Sequence, residues 1–301
     1  MSAHREDERR SSPDIQHTRR LVSMRVLREL EGIRGVGDLT SRFRRDHNGS
    51  RARTTLTLLA AQFGTGANDG VVRAAALIEL EHLASVFHSE DVVDTRAQPV
   101  DGSVTPLKSG VELDRSNSLA TICGDVLLSR ANRLATSLGP RAIELLAEMM
   151  ERLCVGKLHA EDGPRIGENA REHYLRTLAA TSGNTFGTAA RLGLIFSGAP
   201  TERETPVVAF AERAGVAFQL VEDCLRVCDS AASREKGAAD ALEARRWSLD
   251  AKNALKPLPE CSATRALSGF ADTIVERLTG SQSGRPTLMR SPSVALNPLG
   301  V

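Results

Sequence analysis

Apolar residues recur at three- and four-residue spacing through almost all of this 301-residue chain, the period of helices that each bury one stripe. The alternation of Val, Ile and Thr that a half-buried strand requires is almost absent, while Ala, Leu, Arg and Glu, which favour helix, dominate. The expected fold class is all-α, with helices over 15–32, 51–63, 70–95, 116–138, 140–158, 168–182, 185–196, 205–228, 236–252 and 263–278. Ser12-Pro13-Asp14 reads as the first helix start. The connectors, among them RDHNGS, QPVDGS, EDGPRIG and KPLPECS, carry the Gly, Pro, Ser and Asn that interrupt helices. Residues 1–13 and 280–301 are polar and aperiodic and are expected to be disordered tails, leaving 14–279 as one helical domain.

The formal net charge is +1, so no overall field draws the chain to nucleic acid or to an anionic membrane. No apolar run is long enough to span a bilayer, and the charged N-terminus lacks a secretory core segment, so a cytoplasmic location is expected. Five cysteines are scattered without paired metal spacing, which suits a reducing compartment. Cys224 and Cys228, four apart on a helix, read as small core-facing hydrophobes.

Against this pattern the stretch ELEHLASVFHSEDVVD is unusual, because Glu90, Asp91 and Asp94 gather on one side of an apolar helix. Carboxylates at that spacing suit magnesium, which takes a few protein oxygens and completes its shell with water and phosphate. A second acidic pair, Glu222-Asp223, follows the apolar run GVAFQLVEDCLRV. Two such helices facing each other across a bundle would hold a diphosphate between them through metal ions.

Six segments in order resemble the trans-polyprenyl diphosphate synthase family, the polyprenyl synthetases. NGSRARTTLTLLAAQFG is similar to that family's GGKRxRP entry helix, AALIELEHLASVFHSEDVVD to its ELxHxASLxHDDxxD helix, and ATICGDVLLSRANRLA to its AVLAGDYLLARA helix. YLRTLAATSGNTFGTAARLGLIFSGA resembles the YxxxxxxKTAxLF helix, AGVAFQLVEDCLRV the GxAFQxxDDxLD helix, and ALSGFADTIVER the closing helix. The resemblance implies an isoprenoid-synthase-type helical bundle around a deep apolar pocket. It also implies Mg2+ held by Glu90, Asp91, Asp94, Glu222 and Asp223, with Asp91, Asp94 and Asp223 as the catalytic acids. Chain-elongating members ionise an allylic diphosphate at the metals and add isopentenyl diphosphate from a separate basic site. The substrate-binding positions that follow are Arg51, Arg53, His82, Ser85, Val86, Thr181, Phe218, Gln219 and Arg226.

Departures from the family pattern carry information. Ser50 stands for the lysine of GGKRxRP, Thr181-Ser182 for its KT pair, and Arg226 for the last acid of the second motif. No arginine pair follows the first motif, and the lysine-bearing segment after the second has no recognisable counterpart in AASREKGAADALEARRW. Arg226 either touches phosphate or pairs with Glu222 one turn away. Arg51 and Arg53 read equally as phosphate contacts or solvated surface. On its apolar face His82 reads as a core histidine, whereas the family match places it near isopentenyl diphosphate; His88 reads as structural.

Ser89 adds one residue between His88 and Glu90 relative to the family spacing, a rotation of about 100° on an α-helix. A π-bulge or wide turn between His88 and Asp91 is the expected remedy. Ser85 and Val86, small where bulky aromatics would shorten the pocket, predict a deep one.

The cation count favours an enzyme that ionises a single allylic diphosphate, in the manner of terpene synthases. Chain elongation through Arg51, Arg53, Arg226 and His82 is the alternative, and a non-catalytic partner subunit is a third reading. A homodimer is expected, or a heteromer with a related synthase.

Overall fold

The computed structural model describes residues 2–31, 51–90, 110–225 and 231–280. Every regular element among them is helical, as the apolar period requires. In chain order these are α1 (Ser2–Leu30), α2 (Ala52–Ala60), α3 (Asp69–Glu90), α4 (Gly110–Leu138), α5 (Pro140–Asp162), α6 (Ala170–Leu178), α7 (Asn184–Phe196), α8 (Glu204–Leu225), α9 (Ala231–Ala254) and α10 (Ser262–Gly280). A 3-10 turn at Ala61–Phe63 extends α2, another at Thr201–Arg203 precedes α8, and a π-helical turn at Ala179–Gly183 joins α6 to α7.

Short-range chemistry sets several boundaries. Asn68 Oδ1 accepts the Val71 N–H at 2.9 Å at the start of α3, and Asn169 Oδ1 accepts the Arg171 N–H at 2.7 Å at the start of α6. Both satisfy amides that a helix N-terminus leaves unpaired. Gly139, at φ 103°, takes the turn that a side chain would resist, and Pro140 opens α5 behind it.

Two differences from the sequence-based expectation concern boundaries. α1 is helical from Ser2, upstream of the Ser12-Pro13-Asp14 start, where Arg and Glu supply strong helix propensity. The expected break between residues 182 and 185 is absent, because the π turn carries one helical axis from α6 into α7.

α7 organises the bundle. Its Ala189 and Leu192 belong to one apolar cluster with α1, α3, α4 and α5, whereas Phe186, Ala190 and Leu194 belong to a second with α2, α8, α9 and α10. A helix apolar on nearly every side lies inside the protein. Each fully buried side chain such as Leu77, Leu127 or Leu220 contributes roughly 1.5–3 kcal/mol. Packing of that size, rather than intrinsic propensity, orders these elements.

Close approach of α8 to the π turn depends on Gly215. A Cβ there would lie 2.6 Å from the Ser182 carbonyl oxygen and 2.8 Å from Phe186 Cβ. With hydrogen in its place, α8 brings its C-terminal half against the turn, and the second acidic pair sits at that end.

Candidate functional site

Along α8 the buried stripe ends in Phe218, Leu220 and Val221, and the next turn carries Gln219, Glu222 and Asp223 half out of the core. Gln219 Nε2 donates to Asp223 Oδ1 at 2.8 Å, while Gln219 Oε1 accepts from Ser182 Oγ of the π turn at 3.0 Å. Tyr174 of α6 donates its hydroxyl to Asp223 Oδ2. Burial first, then this bond to the carboxylate, raises the Tyr174 pKa, so the phenol stays a donor. Arg171 and Lys236 stand over the Tyr174 ring at 5.2 and 5.5 Å, and Arg171 also pairs with the fully buried Asp240. Lys236 belongs to the segment in which the sequence shows no family counterpart.

Glu222 pairs with Arg277 of α10, Oε1 to Nη2 at 2.6 Å. This corrects the expected one-turn pairing with Arg226: the partner comes from another helix, because α10 packs against α8. The Arg277 guanidinium also lies 5.5 Å from the Phe218 ring. Phe218 and Phe186 meet at 5.3 Å between ring centroids, and Arg53 of α2 covers Phe186 at 5.1 Å. Two guanidinium groups thus flank one aromatic pair, a favourable arrangement for cations out of water.

Arg53 is neither solvated surface nor a free arm. It is 6% exposed, its pKa lowered by burial against the opposing pull of Glu79, Glu81 and Glu222. An arginine remains charged under that shift, so α2 delivers a fixed positive charge to the interior. Arg51, half-buried, flanks the N-terminus of α2, and burial lowers its pKa too, with Arg19 adding to the effect. On α3, Glu79 accepts from Thr54 Oγ1, whereas Glu81, 1% exposed, has no hydrogen-bond partner for either oxygen.

His82, Ser85 and Val86 are half-buried on α3. Ser85 does not leave an open floor: Lys157 of α5 donates to its Oγ at 2.9 Å and approaches its carbonyl at 3.5 Å. The deep pocket inferred from a small residue here is therefore corrected by an ammonium from the neighbouring helix. His88 Nε2 lies 3.2 Å from Asp125 Oδ1 of α4, and its ring fills the space a side chain at Gly124 would take. Thr181 turns its hydroxyl back to the Thr177 carbonyl at 2.8 Å.

Asp91, Asp94, Arg226 and Cys228 lie outside the described residues, as does the side chain of Glu90. The expected π-bulge between His88 and Asp91 falls partly there as well. α3 is α-helical through Glu90, and the π turn that is described belongs to residues 179–183.

The described half of the site receives a divalent ion unequally. Asp223 accepts one hydrogen bond on each oxygen and keeps lone pairs for a metal. Glu222 does not fit, because a guanidinium already occupies its carboxylate. Among the described residues no cluster of three or more His, Cys, Asp or Glu is placed to hold a metal.

Sequence reasoning missed Tyr174, Arg277, Lys236, Lys157, Glu79 and Glu81. For the two glutamates a signal exists: acids inside the unbroken apolar run of α3 must be buried. For the others only their neighbours across helices reveal them.

Residues 43–265 match the polyprenyl synthetase family model. The chain belongs to that family. It is 32% identical over 223 residues to the nonaprenyl diphosphate synthase of Mycobacterium tuberculosis, covering 73% of this chain and 64% of that protein. To the dimethylallyltranstransferase of the same organism it is 31% identical over 191 residues, 62% of this chain and 56% of the relative. The chain thus spans less than two thirds of the length of either. Among solved structures, geranylgeranyl pyrophosphate synthase from Corynebacterium glutamicum, complexed with calcium and isoprenyl diphosphate, superposes with a TM-score of 0.73. That match has 22% identity and covers 88% of this chain and 96% of the other, which fixes the fold. No described helix is long and apolar enough to cross a membrane.

Proposed function

We propose that this chain is a trans-polyprenyl diphosphate synthase that extends an allylic diphosphate with isopentenyl diphosphate. The single-substrate reading rests on cations counted as missing along the sequence. The observation that supports elongation instead is that Arg277, Arg171 and Lys236 surround Glu222, Tyr174 and Asp223 in space, with Arg53 buried across the aromatic pair. Positive charge for two diphosphates is present, supplied from other helices. The relatives named above, among them a nonaprenyl diphosphate synthase, support the same choice.

In this reading Mg2+ is held by Asp91 and Asp94 with Glu90 on the first motif and by Asp223 on the second. When bound, it neutralises the charge gathering on the departing diphosphate. The protein's own part is positional. Tyr174 and Gln219 fix both oxygens of Asp223, and Ser182 fixes Gln219, so the carboxylate is already oriented when substrate arrives. Arg51 and Arg53 serve the second diphosphate.

Exposed Leu119 and Ile122 on α4 and Ile143, Val155 and Leu158 on α5 support a homodimer, or pairing with a related synthase, through these helices. The location follows as soluble and cytoplasmic. The deciding assay incubates purified protein with magnesium and geranyl, farnesyl or geranylgeranyl diphosphate, with and without isopentenyl diphosphate. Longer products and diphosphate release only when both are present are expected. Release without isopentenyl diphosphate restores the single-substrate reading, and silence under both conditions points to a partner subunit.

A further inference from the structure

Between α3 and α5 lies a set of charged and polar groups that the proposed chemistry does not use. Glu81 and Ser85, one turn apart, lie on the same side of α3. Lys157 reaches from α5 to Ser85 Oγ at 2.9 Å, and the Glu81 carboxylate feels both Lys157 and Arg53. Glu81 is 1% exposed and neither oxygen has a donor. Burial lowers the Lys157 pKa, with Glu81 opposing that shift.

This group belongs to the interior of the site and not to the outer surface. Gly156, the residue before Lys157, packs on the π turn: a Cβ there would lie 2.9 Å from Ala180 Cβ and 3.1 Å from Thr181 Cγ2. Val155 and Leu158 on either side face outward, while Gly156 is buried and Lys157 half-buried. The same π turn carries Ser182, which is linked through Gln219 to Asp223. A hydrocarbon tail whose diphosphate sits near Asp223 and the end of α3 and which runs back along α3 therefore meets the Lys157 ammonium beside Ser85.

We propose that Lys157, anchored on Ser85 and countered by Glu81, is the specificity-determining residue that limits how long a prenyl chain this protein accepts and makes. The inference rests on the synthase reading above. Its physical basis is a difference in burial energetics. Each additional isoprene unit gains by leaving water for an apolar surface, but a unit that presses on an ammonium strips its remaining water and returns nothing. Growth stops where that loss exceeds the gain. A lysine in this role limits length by charge, at a position where the small Ser85 alone would have left space.

The test compares wild type with Lys157→Met, which keeps the length and removes the charge, and Lys157→Arg, which keeps the charge. Binding of geranyl, farnesyl, geranylgeranyl and longer all-trans prenyl diphosphates is measured by calorimetry, and products are sized after incubation with isopentenyl diphosphate. Wild-type affinity is expected to rise with chain length and then fall at one step. In Lys157→Met the step vanishes, with affinity for the first excluded chain up by about tenfold or more and the main product lengthened; Lys157→Arg keeps the wild-type limit. Unchanged binding and product length in a Lys157→Met protein that melts as wild type overturns the proposal. If that variant does not fold, Ser85→Ala, which removes the anchor, carries the test: a raised length limit supports the proposal and an unchanged one overturns it. Binding of no prenyl diphosphate by wild type refutes the synthase reading and this inference with it, whereas elongation with an unmoved limit refutes this inference alone.

Discussion

On α8, Glu222 faces Arg277 and Asp223 accepts from Tyr174 and Gln219, whereas on α3 Glu79 takes the Thr54 hydroxyl and Glu81, although more deeply buried than either acid of α8, has no hydrogen-bond donor. Burying a carboxylate without donors is costly, and the charged form pays most of that cost. The α8 pair is therefore held in one geometry as anions. Glu81 instead is pushed up to about 7, by burial first, with Arg53 and Lys157 pulling the other way. One pair is prepared for chemistry on a substrate, and the other is a charge balance inside the bundle.

That contrast can be broken at its strongest point by Asp223→Ala. Loss of a preoriented carboxylate at the reacting diphosphate should lower turnover by about a hundredfold or more, read as diphosphate release under saturating substrates. Asp91→Ala and Asp94→Ala should abolish release. Retained turnover in any of the three removes that residue from the mechanism.

Next in size is the pH dependence of stability. The Glu81 carboxyl has a usual value of 4.5 and a folded value of about 7, so across that window the folded state binds more protons than the unfolded one. Stability is then fully present below the lower value, falls as pH rises through the window and levels off above it, a loss on the order of 3 kcal/mol. Glu79, raised by the same burial, adds to the slope. Glu81→Leu should make the slope shallower in denaturant midpoints measured at pH 5 and pH 8; an unaltered slope would assign it elsewhere.

Tyr174→Phe removes one donor from Asp223 and leaves the ring in place. A cost of about 1–2 kcal/mol in unfolding free energy is expected, with a fall in turnover beyond what stability explains, since Asp223 loses its orientation. If turnover holds, the tyrosine is structural only. Arg277→Ala is the mildest. The pair is partly exposed, with side chains 32% and 21% accessible, so about 1 kcal/mol is expected. A larger loss would show that the guanidinium chiefly supports Phe218.

The helical fold was legible because the spacing of apolar residues is a local property, repeated often enough to survive any single exception. Helix starts at Asn68 and Asn169 and the stop at Gly139 followed from side chains acting within a few residues. The positions of the family motifs were legible for the same reason, being short ordered strings. What could not be read was which helix answers which charge. Arg226 is one turn from Glu222 along the chain, yet Arg277 binds it, because α10 crosses α8 at that height. Ser85 looked like empty space until α5 placed Lys157 against it. The sequence by itself determined periodicity, and with it an all-α chain carrying acids at two helix ends. Only the tertiary structure decided the partners of those acids, since contacts between residues far apart in sequence depend on helix crossings and on close approaches such as that at Gly215, which no local pattern encodes.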